Sequence, residues 1–307
     1  MELHFPIADV SVSFPLLMFL GFAVGVLSGL FGVGGGFLMT PILFFLGIPK
    51  LVATSTEAVQ IAGSSVSGVL GHLKRKNVDL KVGSFIAIGG LAGTTAGVML
   101  TRWLRATGQV DTVIEITYVI FLGFIGSLML IESLGSRSRS KRGVARRSHT
   151  HTFLHRLPWR VKFPRSKLYM SGFLPIGLGF FVGILTALLG VGGGFIMVPA
   201  MIYILGMPTL IVIGTSLFTV IFLTASVALQ QSLVNVSVDI LLALCLMVGG
   251  VVGAQVGVRL ATRLPAQNLR IWLAILVLAV CAKLAWDLFV YPPAISTVEV
   301  ISLEGMI

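Results

Sequence analysis

The sequence predicts an all-α polytopic membrane protein made of two homologous halves, and three observations lead to this prediction. Of the 307 residues, 56% are hydrophobic and only 11% are charged, whereas soluble domains are about a quarter charged. Six apolar runs of about 20 residues are each long enough to cross the hydrocarbon core of a bilayer. A glycine cluster with the sequence GVGGG occurs twice.

In each half, a pair of shorter apolar runs separated by a glycine cluster comes first, and three long apolar runs follow. The long runs are residues 51–73, 82–104 and 112–134, then 209–231, 238–260 and 269–290. The interrupted pairs consist of residues 14–29, 32–36 and 37–48, then 172–188, 190–194 and 195–207. The last run of each pair is too short to span a membrane without distortion.

The two halves align as an internal duplication. Residues 29–43 match residues 187–201, and Ala53-Thr54-Ser55 matches Gly214-Thr215-Ser216. Val78-Asp79 matches Val238-Asp239, and four glycines follow in each half, at Gly89, Gly90, Gly93, Gly97 and at Gly249, Gly250, Gly253, Gly257. Tight helix packing explains those later glycines. The predicted organisation is a first repeat at 1–134, a basic linker at 135–168 and a second repeat at 169–307.

The net charge of +11 comes from one segment. Eleven of the 22 Lys and Arg residues lie within residues 137–167, where no Asp or Glu occurs. A nucleic-acid-binding surface over the whole protein is therefore not expected. The segment is predicted to be a solvated loop, with a surface helix around residues 153–161, that is attracted to anionic lipid and fixes the topology. The alternative is binding of a phosphoinositide-like headgroup.

The distribution of Lys and Arg predicts the orientation in a bacterial-type inner membrane. The basic loop should be cytoplasmic, and residues 1–13 and 291–307, which lack Lys and Arg, should lie outside. No basic segment precedes the first apolar run, so no cleaved signal peptide is expected. Each half then crosses an odd number of times and the repeats are inverted. The glycine-linked pair can be two crossings or a re-entrant hairpin, while a single helix broken in the middle would make the repeats parallel.

The glycine clusters are the predicted substrate-binding elements. Unwound backbone at membrane depth is tolerated where it lines a cavity, and each cluster leads directly into a short helix whose N-terminus favours an anion. The alternative is that the glycines only allow close helix packing. The predicted substrate-binding residues of these clusters are Gly34, Gly35, Gly36, Phe37, Gly192, Gly193, Gly194 and Phe195.

Hydroxyl and acidic residues complete the predicted site. Thr54, Ser55, Thr215 and Ser216 are expected to reach the same cavity, with helix N-capping as the alternative. Glu57, whose counterpart in the sequence alignment is apolar, is the predicted proton-coupling residue, supported by Gln60 one turn later. The alternative for Glu57 is a position near interfacial water. Solvated positions near helix ends are predicted for Glu115, Glu132, Lys283 and Asp287.

The duplicated GVGGGFxxxP element, with a Thr-Ser pair after each copy, resembles the TauE/SafE sulfite exporter family, also called the toluenesulfonate uptake family. The resemblance covers residues 14–290. It implies an ion-gradient-driven transporter of sulfite or of an organosulfonate such as sulfoacetate, with about eight helices. The implied partners are a small anion and the lipid bilayer, and a homodimer is left open.

Two other functional classes compete with a transporter. A membrane-embedded enzyme needs an acid–base pair, a nucleophile with a His partner, or a metal cluster at membrane depth. The sequence suggests none of these, so no catalytic residue, cofactor or metal ligand is predicted. An assembly or sensor subunit would act through the basic loop.

Overall fold

The computed structural model describes residues 2–8, 10–31, 36–74, 76–140, 160–163, 165–166, 168–261 and 266–290. The first half has a hairpin, β1 (Glu2–Phe5) and β2 (Val10–Ser13), and five helices: α1 (Phe14–Phe31), α2 (Gly36–Phe45), α3 (Lys50–Lys74), α4 (Leu80–Ala106) and α5 (Val110–Ser140). The second half repeats this order with β3 (Arg160–Phe163), β4 (Leu168–Ser171), α6 (Phe173–Leu189), α7 (Gly194–Tyr203), α8 (Thr209–Gln230), α9 (Ile240–Ala261) and α10 (Ala266–Val290). A π-helical turn, Gln231–Asn235, extends α8.

This element order confirms an all-α polytopic membrane protein, with two small hairpins that the sequence did not predict. Within the described residues, four segments are long and apolar enough to cross a membrane: Leu80–Ala106, Val110–Ile131, Ile211–Asn235 and Ile240–Gly257. The helices α3 and α10 cover the other two predicted long runs. They contain polar residues such as Glu57, Gln60, Lys283 and Asp287, which lower their hydropathy.

Regular structure enters the predicted linker from both sides. The helix α5 extends to Ser140, and β3 begins at Arg160. Residues 160 and 161 are therefore in a strand, so the end of the predicted surface helix is wrong. The rest of that helix, residues 153–159, lies outside the described residues.

The two halves interlock through glycine-rich helix crossings, because α1 packs on α9 and α6 packs on α4. A Cβ atom at Gly21 would lie 2.8 Å from the carbonyl oxygen of Leu246. In the equivalent crossing, a Cβ atom at Gly89 would overlap the carbonyl oxygen of Ile176. These contacts confirm the packing role predicted for Gly89 and its neighbours, because only small residues let two helix backbones approach so closely.

Equivalent helices of the two halves run antiparallel. Both Ile61 of α3 and Thr224 of α8 lie beside Gly192, while Leu217 lies beside Gly68, so residue numbers fall along α8 as they rise along α3. The pair α5 and α10 is arranged in the same way. Cys281 Sγ lies 3.3 Å from the Val119 carbonyl oxygen, and Leu278 lies beside Gly126, so residue numbers fall along α10 as they rise along α5.

The short helix α2 folds back along α3. Gly36, at the start of α2, lies beside Ile61 in the interior of α3, whereas Phe45, at the end of α2, is four residues before α3 begins. The helices α2 and α3 are therefore antiparallel. The helix α1 runs parallel to α9, since Met18 lies beside Gly249 and Phe22 beside Gly253. The helix α3 also runs parallel to α9, since Thr56 bonds Asp239 and Gly63 lies beside Met247. The helices α1 and α2 therefore form a hairpin rather than one interrupted helix.

Large apolar side chains cover the outside of the bundle. Exposed examples are Ile88, Trp103, Phe124, Val248 and Phe289. Apolar exposure of this extent is typical of a surface that contacts lipid.

Candidate functional site

The second glycine cluster breaks the chain between α6 and α7. The helix α6 ends at Leu189, and Gly190, Gly192 and Gly193 have φ angles of +67°, +71° and +70°. Side-chain-bearing residues rarely adopt this conformation. Space is also restricted: a Cβ atom at Gly193 would lie 2.7 Å from Val182 Cγ1, and one at Gly190 would overlap the Thr54 carbonyl. This segment is therefore a true break, packed against α3 of the other half.

The first glycine cluster lies mostly outside the described residues, which include neither Gly34 nor Gly35. Gly36 is described as the buried first residue of α2. A Cβ atom at Gly36 would lie 3.1 Å from the Val191 Cα atom. The beginning of α2 therefore contacts the break in the second half.

The N-terminal ends of the two short helices meet at a pair of stacked aromatic rings. Phe37 and Phe195 are the second residues of α2 and α7, and their rings stack with centroids 4.5 Å apart and planes 9° from parallel. Both rings are buried. The first-turn N–H groups of a helix have no partner within the helix, so the buried centre lies beside two positive helix ends.

The predicted hydroxyl residues are buried, but none is an N-cap of its own helix. Thr54 and Ser55 lie inside α3, and both donate to the Leu51 carbonyl, at 3.0 and 2.6 Å. Ser216 donates to the Ile213 carbonyl at 2.9 Å. The N-capping alternative is therefore wrong for the helices that carry these residues.

Two threonines instead bond the start of a helix in the opposite half. The Asp79 N–H donates to Thr215 Oγ1 at 2.9 Å, and the Asp239 N–H donates to Thr56 Oγ1 at 3.0 Å. The equivalent of Thr215 is thus Thr56 and not Thr54, as the sequence alignment suggested. Glu57 consequently corresponds to Ser216, so the expectation of an apolar counterpart is wrong.

Glu57 is fully buried on α3, one residue after Thr56. When the Gln60 amide is oriented with its nitrogen toward Glu57, that nitrogen lies 2.8 and 3.0 Å from the two carboxyl oxygens. The orientation is assigned from the hydrogen-bond network. Neither ion pair recorded in the described segments involves Glu57. The structure therefore places Glu57 in the protein interior beside Gln60.

Sequence reasoning missed Tyr118 of α5, whose side chain is fully buried. Its hydroxyl donates to the carbonyl of Leu189, the last residue before the break, and its ring packs edge-on against Phe44 at 5.5 Å. A tyrosine within an apolar helix could have indicated such a contact from the sequence, because a buried hydroxyl needs a hydrogen-bond partner.

Glu115 also differs from its prediction. It is buried and forms an ion pair with Lys50, where α3 and α5 begin. Lys283 and Asp287 are more exposed and form an i,i+4 pair at 3.5 Å. Among the residues that the structure describes, no group of three or more His, Cys, Asp or Glu side chains could hold a metal ion.

Interlocked halves that each bring the start of a short helix to one buried centre are typical of multi-pass membrane transporters. The family model for "Sulfite exporter TauE/SafE" matches residues 17–284. The chain therefore belongs to the TauE/SafE sulfite exporter family.

Relatives from several organisms agree with this membership. The "Probable membrane transporter protein YunE" of Bacillus subtilis is 29% identical over 78% of this chain and 85% of its own length. The B. subtilis "Probable membrane transporter protein YjnA" is 26% identical over 87% of this chain and 98% of its own length. A "Sulfite exporter TauE/SafE family protein 3" of Arabidopsis thaliana is 26% identical over 39% of this chain and 26% of its own length. No solved structure matches.

Proposed function

We propose that this protein is a secondary transporter that moves a small sulfur-containing anion, sulfite or an organosulfonate such as sulfoacetate, by alternating access between inverted halves. The main supporting observation is the stack of Phe37 on Phe195, which joins the N-terminal ends of the two short helices at a buried centre. Family membership supports the substrate class, and the Arabidopsis relative is named a sulfite exporter family protein.

The inverted relationship is supported by helix directions and by charge. Equivalent helices related by a two-fold axis in the membrane plane must run antiparallel, as α3 and α8 do, and as α5 and α10 do. Basic residues concentrated within 137–167 favour a cytoplasmic linker and outside termini in an inner membrane. In such transporters the substrate lies where the repeats meet.

Anion binding is assigned to backbone N–H groups rather than to a basic side chain. Helix N-termini bind anions through oriented N–H groups and the helix dipole. In this proposal Gly34, Gly35, Gly36 and Phe37 act with Gly192, Gly193, Gly194 and Phe195. The hydroxyls of Thr54, Ser55, Thr215 and Ser216 are assigned as secondary contacts in the same proposal.

Proton coupling is assigned to Glu57 and Gln60. An acid buried at membrane depth is a functional candidate by default, and Glu57 has an amide partner rather than a basic one. An uncharged carboxyl is compatible with this environment, whereas a carboxylate without a cation is costly there. Exchange of a proton during the transport cycle gives this residue its role.

The test is uptake or efflux of radiolabelled sulfite, sulfoacetate, thiosulfate, sulfate and taurine in proteoliposomes under an imposed pH gradient. Gly193→Ala should abolish flux, because the position has φ +70° and a Cβ atom there would meet Val182 and Thr186. Gly177→Ala is the matched control, since nothing lies within 4 Å of its Cβ position. Equal flux in both variants, or no flux of any sulfur anion by the unmodified protein, would refute the proposal.

A further inference from the structure

Each half begins with an antiparallel hairpin, and the two hairpins have the same construction. In β1–β2, Phe5 pairs with Val10, and in β3–β4, Phe163 pairs with Leu168. Both strand pairs run directly into the first helix of their half. The turn residues Ala8 and Ser166 occupy equivalent positions and are both buried.

The β3–β4 hairpin is fixed to α4 by directional hydrogen bonds. The Ser166 N–H and hydroxyl donate to Asp79 Oδ2 at 3.0 and 2.6 Å. Arg165 donates to the Val78 carbonyl at 2.6 Å, and Lys81 Nζ donates to the Lys162 carbonyl at 3.0 Å. Polar contacts of this kind hold a hairpin in one position.

The β1–β2 hairpin has apolar residues where those donors occur. Ala8 replaces Ser166, Ile7 replaces Arg165, and Leu241 of α9 replaces Lys81. Phe5, Ala8 and Val12 instead belong to the same apolar cluster as Leu242. Contacts of that type are not directional.

The carboxyl group that could hold the β1–β2 hairpin is present, but only one of its two oxygens is hydrogen-bonded. Asp239 is the equivalent of Asp79, since its Oδ1 accepts from the Leu242 N–H at 3.1 Å as Asp79 Oδ1 accepts from the Val82 N–H at 3.2 Å. Asp239 Oδ2 is buried and accepts no hydrogen bond from the residues that the structure describes. Burying a polar atom without a partner is unfavourable. Closing the β1–β2 hairpin removes water from Asp239 Oδ2 without replacing it, whereas closing the β3–β4 hairpin gives Asp79 Oδ2 two donors from Ser166.

We propose that the β1–β2 hairpin is a releasable cover over the start of α9, whereas the β3–β4 hairpin is a fixed cover over the start of α4. Release lets water reach Asp239 Oδ2. Asp239 is joined through its N–H to Thr56, the residue before Glu57, so movement here is transmitted to the buried centre. Only the effect of release on transport depends on the proposed function.

Hydrogen–deuterium exchange of the full-length protein in lipid nanodiscs tests this proposal without transport. Peptides covering residues 2–13 should exchange faster than peptides covering residues 160–171. Ala8→Ser should slow exchange of the first hairpin about fivefold, as expected for one added hydrogen bond. Ser166→Ala should accelerate exchange of the second hairpin to a similar degree.

A double variant distinguishes a specific bond from a general effect. In Asp239→Leu protein, Ala8→Ser should no longer slow exchange, because the acceptor is missing. Equal exchange of the two hairpins in the unmodified protein, or slowing by Ala8→Ser that persists with Asp239→Leu, would overturn the proposal. In proteoliposomes Ala8→Ser should also lower flux. Absence of flux from the unmodified protein would count against the proposed function and leave the exchange result standing.

Discussion

The hydroxyl of Tyr118 donates to the carbonyl of Leu189, the residue at which α6 ends before its glycine break. This bond joins the first half to the broken helix of the second. It satisfies one of the carbonyls that the end of a helix leaves without a partner.

Tyr118→Phe removes this donor and leaves the ring in place. We expect a loss of about 1 kcal/mol of stability, because a buried carbonyl loses its hydrogen bond, together with lower flux. Thermal unfolding in detergent and flux in proteoliposomes measure the two effects. Tyr169→Phe is the matched control, since the Tyr169 side chain is 50% exposed on β4. Equal behaviour of the two variants would mean that the Tyr118 bond does not stabilise the break.

The Phe37–Phe195 stack predicts coupling between the two short helices. Phe37→Leu and Phe195→Leu should each destabilise the protein, and the double variant should lose less than the sum of the two by about 1 kcal/mol, the value typical of an aromatic pair. Phe19→Leu changes a ring that is 64% exposed and provides the control. Thermal unfolding of the four variants measures the coupling, and strict additivity would contradict it.

The cross-half threonine bonds predict a specific ranking of variants. Thr56→Val and Thr215→Val should each cost about 1 kcal/mol, because each leaves an aspartate N–H without its acceptor. Thr54→Val should lower stability less, since the Thr54 hydroxyl bonds only a carbonyl of its own helix. That carbonyl also accepts the ordinary backbone hydrogen bond of the helix. Denaturation of the purified variants tests the order. A larger loss for Thr54→Val than for Thr56→Val would contradict the assigned repeat register.

The sequence contained enough information for the large elements and for the glycine break of the second half. The length of the apolar runs predicted the long helices, and consecutive glycines predicted a break that Gly190, Gly192 and Gly193 form with positive φ angles. Both signals are local, so one sequence is sufficient to detect them.

Features that depend on contacts between distant residues were missed or misplaced. Thr54, Ser55 and Thr56 form a run of hydroxyl residues that permits several repeat registers, and only the bonds to Asp79 and Asp239 select one. The hairpin strands are four residues long, which is too short for a reliable alternation pattern. The Lys50–Glu115 pair joins residues 65 positions apart, and local hydropathy carries no information about it.

Removal of residues 141–159 separates a transporter from an adaptor. This part of the basic segment lies outside the described residues, and its five Lys and Arg and three His residues favour attraction to lipid and a role in topology rather than substrate binding. Protein reconstituted without residues 141–159 should keep sulfur-anion flux. In the matched control variant, a neutral Gly/Ser linker of equal length replaces the same residues. Loss of flux in both variants, although both fold normally, would favour an adaptor that acts through the basic loop.

Glu57→Gln tests coupling at the buried centre. The change keeps the size of the side chain and its contact with Gln60 but removes the exchangeable proton, so an imposed pH gradient should no longer drive anion accumulation. Exchange of labelled for unlabelled anion at equal pH should continue, because the glycine clusters are unchanged. Glu115→Gln is the control: it removes a buried partner of Lys50 and should lower thermal stability while leaving pH-driven accumulation intact. Accumulation by Glu57→Gln protein at the unmodified rate would exclude Glu57 as the coupling residue.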